Sequence, residues 1–201
     1  MSLLSDLKTA KTEEDVKDAY VKTLGLKQFS KNLVDIQTKE IWFEAKEAGT
    51  SPVAMFAQLL VYIKIAYDKG EHLPPFLAVI DREKAALMET ANAMPLLKDK
   101  SIEWLKSGSK AMAKTKASQE FVSKVSGQIS AHYVVYGIES DEKQFIHAVK
   151  SAIKEGKIIR TPITPDNLRQ VFDKWIEKIG QELEGVAEAD YALLFFCRHH
   201  A

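Results

Sequence analysis

The chain holds a single cysteine, Cys197, among its 201 residues. One thiol can form neither an internal disulfide nor a cysteine-based zinc site, so a reducing, cytosolic setting fits. Lys plus Arg equals Asp plus Glu at 28 each, so there is no charge excess of either sign. That excludes a surface that is basic or acidic throughout and leaves local patches to decide what the chain attracts. No apolar run approaches the roughly 18 residues that span a bilayer. The N-terminal MSLLSDLKTAKTEED carries no long apolar stretch, so neither a membrane span nor a secretory signal is expected. Glycine-rich phosphate loops, a Gly-x-Ser-x-Gly elbow, a repeat and low-complexity tracts are also missing. The five histidines, His72, His132, His147, His199 and His200, show no helical metal-ligand spacing, and the terminal pair reads as a solvated tail.

What is present is a 46% hydrophobic chain patterned as an α/β domain. Residues 12–24 read as a helix, with Thr12 as N-cap, Glu13, Glu14 and Asp15 in the first turn, and Gly25 as the stop. Residues 29–47 read as a β-hairpin: FSKNLVDI, a connection at 37–39, then EIWFEAKE. In the second strand Ile41, Phe43 and Ala45 face one way, and Trp42, Glu44 and Lys46 the other. One face therefore supplies core, and the other an acid and a base side by side. Ser51 and Pro52 open a helix over 52–69 whose apolarity nearly all round predicts burial. FLAVI (76–80) reads as a buried strand, 81–84 as a turn and AALME (85–89) as the returning strand.

From about 93 to 116 the chain turns lysine-rich, with Lys98, Lys100, Lys106, Lys110, Lys114 and Lys116. This predicts a mobile or substrate-facing segment, able to track a nucleic-acid backbone or simply solvated. FVSKVSGQI (121–129) reads as a helix, 131–138 as a strand and 141–156 as a helix ended by Gly156. A further helix over 164–183 carries Trp175, and YALLFFC (191–197) demands burial. The division expected is a catalytic core over about 12–92 and a mostly helical accessory block over about 100–201 within one domain.

The chemistry concentrates between Val34 and Tyr62. Asp35 ends one hairpin strand and Glu44 lies on its partner. Neighbouring strands run about 4.8 Å apart, so the two carboxylates can meet at one hard cation. Lys46 shares the face of Glu44 and can orient a water or neutralise developing charge. An acid-x-Lys pattern alone is common here: Asp6–Lys8, Asp15–Lys17, Asp141–Lys143 and Glu155–Lys157 also match. Only Glu44-Ala45-Lys46 sits on an alternating strand preceded by an acid. Gln58 and Tyr62 follow one turn apart on the next helix and so share a face.

Asp35, Glu44-Ala45-Lys46 and Gln58-x-x-x-Tyr62, in that order, resemble the PD-(D/E)xK nuclease superfamily, in its RecB-like branch. Val34 stands where the family has proline, a position that varies within the superfamily. The resemblance implies a restriction-endonuclease-like mixed sheet flanked by helices, and a Mg²⁺-dependent DNA endonuclease, with Mn²⁺ able to substitute. Asp35, Glu44 and the carbonyl of Ala45 would hold the metal, and Lys46 would position the water. Gln58 and Tyr62 would support the site or contact DNA. Glu13 would be an additional acid near the metal, preferred to Glu14 because Lys17 follows four residues later. From 12 to 89 the order of elements is most similar to the nuclease segment of Type IIG-like restriction–modification enzymes, where a nuclease precedes an adenine methyltransferase. That implies DNA as partner, a methyltransferase or specificity domain in the same or another chain, and a dimer where both strands are cut. No Asn-Pro-Pro-aromatic methyltransferase motif occurs in this chain. The rival expectations are a DNA repair or recombination nuclease and a non-catalytic interaction module on the same scaffold.

Overall fold

The computed structural model describes residues 2–27, 29–30 and 34–156. Contacts divide the chain into two units, Met1–Thr161 and Pro162–Ala201, and the described residues all belong to the first. The expected Trp175 helix and the YALLFFC segment lie outside the described residues.

The chain opens with α1 (Leu3–Thr9) and α2 (Glu13–Leu24). Thr12 accepts from the Asp15 amide while the Asp15 carboxylate accepts from the Thr12 amide, a reciprocal cap that fixes where α2 begins. Gly25 ends it at φ +69°, a conformation that costs glycine least. Strands β1 (Ile36–Gln37) and β2 (Ile41–Ala45) pair antiparallel, with Ile36 opposite Phe43. The hairpin is confirmed, but its first strand is shorter than expected. Among the described residues it keeps two ladder residues and a bridge between Ser30 and Gln37.

Helix α3 (Pro52–Asp68) then crosses to β3 (Phe76–Ile80), which lies parallel to β2. A parallel pair needs such a crossover, and α3 supplies it. Strand β4 (Lys84–Glu89) returns antiparallel, followed by a 3-10 turn and α4 (Met94–Lys98). A second 3-10 turn (Gly108–Met112), α5 (Lys116–Ile129), β5 (Tyr133–Gly137) and α6 (Ile138–Glu155) complete it. The sheet order is β1-β2-β3-β4-β5. This is the mixed α/β sheet flanked by helices that the pattern predicts. Strand β5, from the 100–201 stretch, pairs with β4 of the 12–92 stretch along its length.

Both faces of the sheet are covered. Ile41, Phe43, Ala45, Phe76, Ala78, Ile80, Ala85 and Leu87 pack with α1, α2 and α6. Trp42, Leu77, Val79, Ala86 and Met88 pack with α3 and α5. The continuous apolar run of β3 follows from burial on both sides. The same double cover corrects one expectation about β2: its second face is not a polar one. Trp42 is 6% exposed and Glu44 only 2%, because α3 closes over both.

Candidate active site at the C-terminal end of strand β2

Antiparallel pairing of Ile36 with Phe43 puts Asp35 opposite Glu44, one step beyond the ladder. Asp35 is fixed there by the backbone of β2 itself: the Ala45 amide donates to its Oδ2 at 2.8 Å. Its other oxygen accepts from Lys17 Nζ at 3.1 Å. Lys46 Nζ donates to Glu44 Oε1 at 2.5 Å and to the Ala45 carbonyl at 2.7 Å. The Lys46 amide donates to the Ile80 carbonyl, so β3 holds the strand end that presents these groups.

Glu13 enters from α2. Its carboxylate lies 3.6 Å from Lys46 and 3.5 Å from Lys17. Glu14 pairs with Lys17 at 3.0 Å. Of the two first-turn glutamates, Glu13 is therefore the one paired with both lysines of the cluster. Four carboxylates (Glu13, Glu14, Asp35 and Glu44) and two ammoniums thus interlock at one end of β2.

The charges are unequally housed. Burial pushes the Glu44 carboxyl up to about 8, and the neighbouring negative charge of Asp35 adds to that rise. Burial alone would lower Lys46, but the charge of Glu44 outweighs it and the ammonium is held above its usual range. Lys17 is likewise held above its usual range, its pairing with Glu14 and Asp35 overriding desolvation. Tyr62, on α3, is raised by burial and then by the charge of Glu44, with Gln58 and Lys46 pulling it back. The hydroxyl of Tyr62 therefore stands in the electrostatic field of the cluster. Gln58, one turn earlier, is buried with its Oε1 unpaired. Of the six side chains expected at the site, Glu13, Asp35, Glu44 and Lys46 are joined by ion pairs and hydrogen bonds through Lys17 and Lys46, while Gln58 and Tyr62 lie on α3, which packs over the same face of the sheet.

Among the described residues, no three His, Cys, Asp or Glu side chains converge as a set that could hold a metal ion. A closed, all-protein cage is therefore not what this site offers. Two carboxylates and one carbonyl are a different donor set, and it is the kind that suits Mg²⁺. That ion retains several waters and usually takes one or two carboxylates. Glu44 and Asp35 lie side by side, each paired with one lysine, Lys46 and Lys17 respectively. The side-chain oxygen of Gln58, buried on α3, has no hydrogen-bond partner among the described residues. Asp35, Glu44 and the Ala45 carbonyl offer the oxygens a hard cation would use, and each accepts from a lysine or a backbone amide here.

No family model, curated protein or solved structure matches the chain.

Lys17 was legible only as the partner of Glu13. Its contact with Asp35 bridges 18 positions, which helical spacing cannot reveal. The lysine-rich segment is not a free loop. Ile102 is buried, and Trp104 packs edge-on against Phe121 of α5, with ring centroids 5.4 Å apart. Among the described residues, no helix is long and apolar enough to cross a membrane.

Proposed function

We propose that this chain is a divalent-metal-dependent deoxyribonuclease of the restriction type, with its site at the end of β2. The observation that carries the reading is the pairing of Asp35 with Glu44 while Lys46 donates to both Glu44 and the Ala45 carbonyl. The order of residues, which resembles the PD-(D/E)xK superfamily, supports the same assignment.

Asp35, Glu44 and the Ala45 carbonyl would hold Mg²⁺, with Mn²⁺ able to replace it. When bound, such an ion polarises phosphate oxygens and makes its water more acidic. Lys46 supplies a donor beside those oxygens, able to orient the attacking water and offset charge on the phosphate. Lys17 and the Ala45 amide keep Asp35 aimed by occupying one carboxylate oxygen each. Tyr62, backed by Gln58, would support the site from the α3 side. Choice of DNA sequence would come from a methyltransferase or specificity domain, and a dimer would serve double-strand cleavage.

Calorimetric titration with Mg²⁺ and cleavage of supercoiled plasmid test the reading together. Wild type should bind and cut. Glu44→Ala should do neither, and Lys46→Ala should not cut, with circular dichroism unchanged in both. Cleavage surviving in both variants refutes the site, and a wild type that binds no divalent ion points to a non-catalytic module on this scaffold.

A further inference from the structure

The 98–116 segment carries six lysines against two acids, Asp99 and Glu103. Lys98, Lys100, Lys106, Lys110, Lys114 and Lys116 are all exposed. Neither Lys106 nor Lys110 makes an ion pair with a described residue. At the middle of the segment sits Gly108, buried against α3. A Cβ there would lie 2.5 Å from Cζ, 2.7 Å from Cε2 and 2.8 Å from the hydroxyl oxygen of Tyr62. Every other residue would strike the tip of the ring that stands in the field of Glu44 and Asp35. The backbone of Gly108 is thus seated on the tip of Tyr62, which α3 carries over the sheet face that bears Glu44.

The seat is braced on both sides. Ser107 and Ser109 join their hydroxyls across Gly108 at 2.9 Å, and the Lys110 amide donates to the Ser107 carbonyl at 3.1 Å. Ser118, in the first turn of α5, donates to the Lys110 carbonyl at 2.7 Å. Two residues of chain span at most about 7 Å, so the backbones of Lys106 and Lys110 both lie within that distance of Gly108. A loop that only needed solvation would require neither a glycine contact nor a brace.

We infer that this segment is the surface that receives the nucleic-acid backbone, with Gly108 on Tyr62 as the positioning residue that sets Lys106 and Lys110 beside the acidic site. The inference rests on the proposed reading of that site as one that takes a phosphodiester. Phosphates flanking the one at Glu44 would meet the two ammoniums. Their positive charge offsets the repulsion a polyanion meets from Glu13, Asp35 and Glu44.

The test is fluorescence anisotropy of a labelled DNA duplex with the full chain in EDTA, titrated with salt. Two lost phosphate contacts lower the slope of log K against log salt by about 1.8. Lys106→Ala/Lys110→Ala should therefore flatten the slope by nearly two, which shrinks the affinity loss between ~50 and ~200 mM salt by roughly tenfold. Gly108→Val should flatten it similarly while keeping every charge, and Gly108→Ala should fall between. An unchanged slope in the lysine variant, or a wild type with no affinity for DNA at low salt, overturns the inference. Because the lysine variant changes only exposed side chains, it decides the matter even if Gly108→Val fails to fold. A wild type that binds no Mg²⁺, with flattened slopes in the variants, supports the surface and removes the nuclease reading instead.

Discussion

Replacing Glu44 with glutamine should make the metal-free protein more stable at neutral pH, not less. Glu44 is 2% exposed and its carboxyl is raised to about 8 from an ordinary 4.5, first by burial and then by Asp35. A group whose pKa is higher in the folded state contributes stability that is complete below the unfolded value. That stability is lost as the pH climbs through the folded value. Between about pH 4.5 and about pH 8 each unit therefore removes about 1.4 kcal/mol from the folded wild type. By pH 7 the loss is on the order of 3 kcal/mol, a large share of the ~5–15 kcal/mol that holds a domain folded. Glutamine keeps the shape, can accept from Lys46 and donate towards Asp35, and carries no charge at any pH. Urea unfolding in EDTA, followed by tryptophan fluorescence from pH 5 to pH 8, reads the effect. Wild type should lose stability steadily over that range, and Glu44→Gln should stay nearly flat. Mg²⁺ at ~100 times its Kd should return about 3 kcal/mol to wild type and nothing to the variant. A wild-type profile that is flat, or a variant less stable than wild type at pH 8, would refute the placement of Glu44 as a buried carboxylate held against its own charge.

Three other substitutions separate the roles of neighbouring groups. Lys46→Met should tighten Mg²⁺ binding by several-fold in calorimetry while abolishing cleavage, because the ammonium occupies the Glu44 and Ala45 oxygens that the ion would take. Weaker binding would contradict that competition. Tyr20→Phe removes the hydroxyl that donates to the Asp81 carbonyl at 2.8 Å inside the core. It should cost about 1–2 kcal/mol in urea unfolding and leave Mg²⁺ affinity unchanged. Thr12→Ala breaks the reciprocal cap with Asp15, for a cost of about 1 kcal/mol measured the same way.

The sequence was most legible where a residue's local chemistry decides its conformation. Thr12, Gly25, Ser51 with Pro52, and Gly156 mark helix ends in the structure because caps and positive φ are properties of single residues. The cluster of Asp35, Glu44 and Lys46 was legible for a related reason. Strand alternation and hairpin pairing fix which side chains are neighbours across two adjacent strands. Alternation gives the phase of a strand, however, and not what covers each face. Glu44 could be assigned the same side as Trp42 from its position, but its burial depends on α3 lying over that side. Likewise β5 joins β4 from 45 or more residues away, and Lys17 reaches Asp35 across 18, distances over which no local pattern carries information.

Gly108 illustrates the limit best, and it bears on how the site is built. In the sequence it is one glycine in a lysine-rich stretch, with the same preference for turns as any other. Its meaning comes from Tyr62, 46 positions earlier on α3, whose ring tip fills the space a side chain would need. Tyr62 in turn is placed by the burial of α3 over the face of β2 that carries Glu44. One packing decision, α3 covering that face, thus both desolvates Glu44 and forms the floor on which the lysine segment rests. Raising the carboxyl and bringing cationic residues to its edge are consequences of the same contact. If that is so, loosening α3 at an apolar core position, as in Leu59→Ala, should do two things together. It should move the pH dependence of stability towards that of an exposed glutamate, and it should flatten the salt dependence of DNA binding. Leu59 is wholly buried, and its truncation should cost about 2–5 kcal/mol. A variant that loses stability while both dependences stay as in wild type would show that the acid site and the lysine segment are held independently.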